Sequence, residues 1–121
     1  MVKVILNLQD LALETVREGN RFEACVAKAF AVQLGLFGVG ATLYEVPPGK
    51  IACPFHRHHT SDEMLFILSG AGTYRYGEQC LAVHAGDCLG APAGVPEGDL
   101  HAVRGQAAHR MRAVHDLPAG A

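Results

Sequence analysis

The chain has 121 residues, ten basic and twelve acidic side chains and a formal charge of −2, which suits one domain able to bury its own core. No basic block and no alternation of aromatic with basic residues follows a phosphate backbone, so nucleic acid is excluded as an expected partner. Lys3 precedes only the apolar stretch Val4-Ile5-Leu6 before Asn7, Gln9 and Asp10; this is too short for a signal core, no run reaches membrane-spanning length, and the expectation is a cytoplasmic protein with no membrane partner.

In chain order, residues 8–17 come first. Leu8, Leu11, Ala12 and Val16 fit a helical stripe loosely, which predicts a short helix or turn. Residues 22–32 are alanine-rich and fit helix or strand; the preferred reading is a strand or irregular edge packed on the rest. Residues 39–46 read as a strand ended by Pro47-Pro48-Gly49, and residues 63–68 as another ended by Ser69-Gly70-Ala71-Gly72. Residues 73–76 and 79–84 flank Gly77-Glu78 as a hairpin. Ala85-Gly86-Asp87 turns the chain into Cys88-Leu89, residues 92–98 form a Gly/Pro-rich loop, and strands are expected over 100–104 and 109–115. The tail from Leu117 is expected to fray.

Fourteen glycines and six prolines among short apolar runs predict closely spaced strands in a sandwich or small barrel. A barrel is favoured, because inward side chains there can meet around an ion. Cys25, Cys53, Cys80 and Cys88 have no CxxC spacing and read as four small, mostly buried thiols.

The most informative stretch is His56-Arg57-His58-His59-Thr60-Ser61-Asp62-Glu63, directly ahead of Met64-Leu65-Phe66-Ile67-Leu68. In extended chain His56 and His58 share a face, with Cα atoms about 6.6 Å apart, so both rings converge on one ion. Glu63 falls on the face of Leu65 and Ile67 and offers an oxygen to the same ion. Alternation turns His59 away unless a bulge shifts the register. The strand after the second Gly/Pro-rich loop carries His101, and three imidazoles with one carboxylate suit a borderline divalent ion such as Zn, Fe, Mn, Ni or Cu. His84, His109 and His115 read as structural or pocket-lining. If position 109 is inward then so are Met111 and Ala113, leaving Arg110 and Arg112 on the solvated face. Arg57 and Arg75 are expected to face away from the interior.

The pattern resembles the cupins. Gly49, His56, His58, Glu63 and Gly70 fit the first cupin motif apart from one extra residue between Gly49 and His56. Gly86, Pro92 and Gly94 match the first half of the second motif. Its histidine arrives four residues late, at His101, and Gly105 stands where asparagine is expected. Pro96-Glu97-Gly98-Asp99-Leu100-His101 is similar to the Pro-Glu-Gly-x-x-His loop of a branch of small cupins, which makes His101 the natural fourth ligand; Glu97 occupies the usual histidine position and is the acidic alternative. The resemblance implies an all-β fold, a small cupin jelly-roll β-barrel (double-stranded β-helix) over residues 36–115, with an irregular N-terminal extension over 1–35 and a tail over 116–121. It also implies one metal held by His56, His58, Glu63 and His101, and a homodimer.

Cupin barrels serve many chemistries. The favoured expectation is a metal-dependent enzyme, dioxygenase-like or isomerase-like, acting on a small organic molecule, with Tyr74, Tyr76 and His84 as candidate proton-transfer groups. The alternative is a non-catalytic small-molecule or metal-binding module, sensor or structural. No DNA-reading helix-turn-helix is visible.

Overall fold

The structure, a computed structural model, describes residues 3–52, 62–76, 78–91, 99–102 and 111–117. Among these the chain forms β1 (Glu14–Glu18), β2 (Phe22–Ala27), β3 (Gly40–Val46), β4 (Glu63–Ser69), β5 (Ala71–Tyr76), β6 (Gln79–His84), β7 (Cys88–Ala91), β8 (Asp99–Ala102) and β9 (Met111–Leu117), with 3-10 turns at Leu8–Asp10 and Phe30–Leu34. One sheet has the order β1-β2-β3-β9-β4-β7 and the other β6-β5-β8. Every ladder is antiparallel. No ladder closes the two sheets on each other among the described residues. The fold is all-β, and its two sheets are joined through one apolar interior.

That interior follows from alternation. Ala24 and Val26 of β2, Tyr44 and Val46 of β3 and Ile67 of β4 meet Tyr74 of β5 and Val83 of β6, with Ala52 beside them. Leu65 and Leu89 pack on the cluster from β4 and β7. Ile67, Val46 and Val83 are almost wholly removed from water, and each such side chain contributes about 1.5–3 kcal/mol of transfer free energy.

β2 and β3 are buried on both faces. Ala27 and Leu43 pack with Leu11 and Phe30, flanked by Leu6, Leu8 and Ala41, so the N-terminal segment roofs the outer face of these two strands. This differs in detail from the helix or turn expected over 8–17. Asn7 accepts the Gln9 N–H at 2.8 Å and confines the helical piece to Leu8–Asp10. Residues 14–18 instead pair with β2, where Arg17 and Glu23 are register partners and form a 2.8 Å ion pair. Cross-strand pairing of Thr15 and Val16 prevails over a weak helical stripe.

Two glycines turn the chain from one sheet to the other. Gly70 has φ +79 between β4 and β5, and Gly86 has φ +95 between β6 and β7, a region that L side chains enter only with strain. The Gly86 N–H donates to the Ile67 carbonyl at 2.8 Å, and the Ala85 N–H donates to the Gly70 carbonyl at 3.2 Å. The turn at residue 70 is therefore tighter than the four residues expected, and β5 begins at Ala71. β9 pairs with β3 on one side and β4 on the other, with Gly40 opposite Leu117. This central placement extends the last strand to Leu117, into residues expected to be tail.

The cysteines also differ from expectation. Cys80 and Cys88 are exposed thiols and Cys25 is intermediate; Cys53 lies outside the described residues. Cys80 pairs with Arg75, and Cys88 with Phe66, out of phase with the interior positions. Among the described residues no helix is long and apolar enough to cross a membrane.

Candidate functional site

Glu63 opens β4, and its register partner across the ladder to β7 is Ala91. The neighbouring interior pair on the same face is Leu65 with Leu89, and Ile67 continues that face into the buried cluster. In backbone register, position 63 is one two-residue step along β4 from Leu65. The consequence lies in connectivity. The His-rich segment runs into β4 at Glu63, and the segment holding Pro92, Gly94 and Glu97 departs from β7 at Ala91. Two motifs about thirty residues apart in sequence are thus tied to adjacent strand ends by one register.

His56, His58 and His59, with Arg57 and Glu97, lie outside the described residues. His101 lies in β8, where its register partner is Thr73 of β5, and Thr73 pairs on its other side with Ala82 of β6. The flanking rows are Leu81–Tyr74–Leu100 and Val83–Gly72–Ala102. Those rows contain the buried residues Tyr74 and Val83. In backbone phase, position 101 alternates with the rows that line the interior, whereas position 63 coincides with them. Among the described residues no group of three or more His, Cys, Asp or Glu side chains is gathered.

Other candidates are placed more firmly. His84 is exposed at the end of β6 opposite Ala71, and its N–H donates to Asp87 Oδ2 at 2.7 Å. It stands beside the Gly70 and Gly86 turns, at the end of β4 away from Glu63, and is removed as a proton-transfer group for a site at Glu63. Tyr74 is buried in the interior cluster with Ile67 and Val83. Arg75 is exposed and in register with Cys80 and Asp99, facing away from the interior as expected.

His115 is in register with Thr42 of β3 and with Leu65 of β4, and the same face of β9 carries Ala113, opposite Tyr44 and Ile67. Alternation puts 109, 111 and 113 together; of these the described positions Met111 and Ala113 are register partners of Val46 and Tyr44, and residue 115 follows in the same phase opposite Thr42. The signal was present in the His-x-Met-x-Ala-x-His spacing; its partner strands were not.

The sequence model of the family described as Cupin domain matches residues 42–97, a span that includes Gly49, His56, His58, Glu63, Gly70 and Glu97. No curated protein matches the chain. Among solved structures, the chain is similar to the polyketide cyclase RemF from Streptomyces resistomycificus, with a TM-score of 0.76 and 22% identity over 98% of this chain and 80% of that one. A sugar phosphate isomerase from the cupin superfamily of Silicibacter pomeroyi aligns with a TM-score of 0.71 and 21% identity over 93% of this chain and 74% of that one. A cupin 2 conserved barrel domain protein from Rhodopseudomonas palustris gives 0.71 and 18% identity, over 92% and 73%. These likenesses establish a jelly-roll barrel fold. The fold shared with these structures and the family model matched over residues 42–97 make the chain similar to proteins of the cupin superfamily.

Proposed function

We propose that this cupin binds one divalent transition metal and acts on a small organic molecule, with His56, His58, Glu63 and His101 as the protein donors. The observation that carries the reading is the Glu63–Ala91 register, which fastens both motif segments to one end of β4 and β7. The donor chemistry fits the group. Three neutral imidazoles and one carboxylate suit Zn, Fe, Mn, Ni or Cu and leave coordination positions open to a substrate. When bound, such an ion polarises a carbonyl or enediolate as a Lewis acid or, if redox-active, supports chemistry with dioxygen. The chain's own contribution is to fix position 63 in β4 and position 101 in β8 by strand pairing, with Leu65 and Leu89 the next pair along the β4–β7 ladder.

The names carried by two similar structures, a polyketide cyclase and a sugar phosphate isomerase, support a small organic substrate. A non-catalytic module that binds a small molecule or metal, as sensor or structural element, is the second reading. The phase of position 101 in β8 favours keeping Glu97 beside His101 as an alternative donor, and His59 stands in the same way beside His58. Metal stoichiometry of His101→Ala and Glu97→Gln separates the first pair, since the true ligand is the one whose loss empties the protein.

We further propose a homodimer. Met64, Phe66 and Leu68 form an exposed apolar row on the outer face of β4, and a second copy covering it removes that surface from water. Sedimentation of the wild type and Phe66→Lys tests this; a wild type that stays monomeric at micromolar concentration overturns it.

Catalysis is tested by supplying the purified, metal-replete protein with panels of enolisable carbonyl compounds and sugar phosphates, following isomerisation by NMR and dioxygen uptake by electrode. Turnover that disappears in Glu63→Gln supports the enzyme. Saturable binding without product, with the ligand recovered intact, supports the module.

A further inference from the structure

Resting on the homodimer reading above, the outer face of the six-stranded sheet bears on what covers the exposed row of β4. Leu43 of β3 and Phe66 of β4 lie in one register row, each opposite residue 114 of β9. Two strand spacings, about 10 Å, separate them. Their surroundings differ. Leu43 is fully buried, because the N-terminal segment roofs it through Leu11 and Phe30. Phe66 is 37% exposed, and Met64 and Leu68 more so. This face is therefore a step, one layer of chain high over β2 and β3 and bare over β4.

The roof carries the most exposed large apolar side chains among the described residues. Val4 is 93% exposed, Ile5 84% and Phe37 73%. The Lys3 N–H donates to the Gln33 carbonyl at 3.1 Å, and the Leu36 N–H donates to the Ala31 carbonyl at 3.2 Å, which draws these positions onto one end of the roof. Neither surface suffices alone for a stable dimer, which takes about 800 Å² from each partner. With roughly 150–250 Å² for a whole aromatic side chain, the three side chains on β4 leave open on the order of 250 Å² and the three on the roof on the order of 400 Å². Only together do they approach the area required.

We propose that the roof of one copy seats on the β4 row of a second. The two outer faces meet about a two-fold axis running along β9, so that Val4, Ile5 and Phe37 of each copy cover Met64, Phe66 and Leu68 of the other. Under that rotation the high half of one step meets the bare half of the other, and every contact occurs twice, as a two-fold interface requires. An axis lying across the strands would set roof against roof and leave both β4 rows open to water.

The test is sedimentation velocity over a concentration series for wild type, Phe37→Lys and Phe66→Lys. Each substitution is expected to weaken dimerisation by at least about ten-fold, although positions 37 and 66 belong to different elements of one chain. A dimer that Phe66→Lys breaks and Phe37→Lys leaves intact overturns this arrangement while the homodimer stands. A dimer that survives Phe66→Lys, or a wild type that stays monomeric at micromolar concentration, overturns the homodimer reading as well. A second measurement needs no charge in the interface: chains carrying benzoylphenylalanine at position 37 are mixed with 15N-labelled wild type, irradiated and digested. The expected mixed-isotope product joins position 37 to the labelled peptide that contains Met64, Phe66 and Leu68. Mixed-isotope products that join roof to roof, or crosslinks confined to single chains, overturn the proposal.

Discussion

Glu63 and Ala91 stand opposite each other on the β4–β7 ladder, the one ending the His-rich segment and the other beginning the Gly/Pro-rich one. The geometry of a candidate metal centre is thereby reduced to a single strand register. A slip of one residue would carry Glu63 to the face of Met64, Phe66 and Leu68 and dissolve the arrangement. Ile67, buried among Val46, Tyr74 and Val83, holds that register, because the same slip would expose it.

Ile67→Ala is therefore expected to lose about 2–5 kcal/mol in urea unfolding, from lost burial and the cavity left behind. In the monomeric Phe66→Lys background, Met64→Ala, on the exposed face of the same strand, is expected to stay within about 0.5 kcal/mol of its parent. Equal losses in the two variants would show that the faces of β4 are assigned wrongly.

Gly86→Ala isolates a backbone effect. A Cβ at this glycine meets nothing within 4 Å, yet its φ is +95, so the only cost is conformational, about 1–2 kcal/mol. Chemical denaturation measures it; an unchanged midpoint would mean that the turn tolerates another conformation.

The thiols give a reading of strand phase. In a Cys53→Ala background, Cys80 and Cys88 are expected to react rapidly with an aromatic disulfide reagent in the folded protein. Cys25, whose sulfur lies 3.6 Å from Thr15 Oγ1, is expected to react more slowly. Three equally slow thiols would contradict the outward phase of positions 80 and 88.

Much of this architecture was legible in the sequence where period-2 alternation is bounded by proline or glycine. Strands 39–46, 63–68 and 79–84 emerge within a residue or so of their observed limits. Legibility fails where partners decide. Residues 14–18 form a strand because β2 is beside them, and Leu117 is ordered because Gly40 faces it across the ladder. The cysteines were read as buried from residue type, whereas exposure is set by phase against Phe66 and Arg75. At the site, the carboxylate position could be read from local alternation alone. The register of residue 115 with Thr42 and Leu65 depends on β9 inserting between β3 and β4, a non-local pairing that spacing along one strand does not encode.

The central claim is that this barrel gathers a cation on Glu63 and the His-rich segment. Elemental analysis of protein expressed in minimal medium, run side by side on wild type, His58→Ala and Glu63→Gln, tests it most directly. The account predicts about one transition-metal ion per wild-type chain and loss of most of it in both variants. A wild type free of metal that also takes up none when zinc, iron, manganese, nickel or copper is offered, or variants that keep the wild-type stoichiometry, would contradict it.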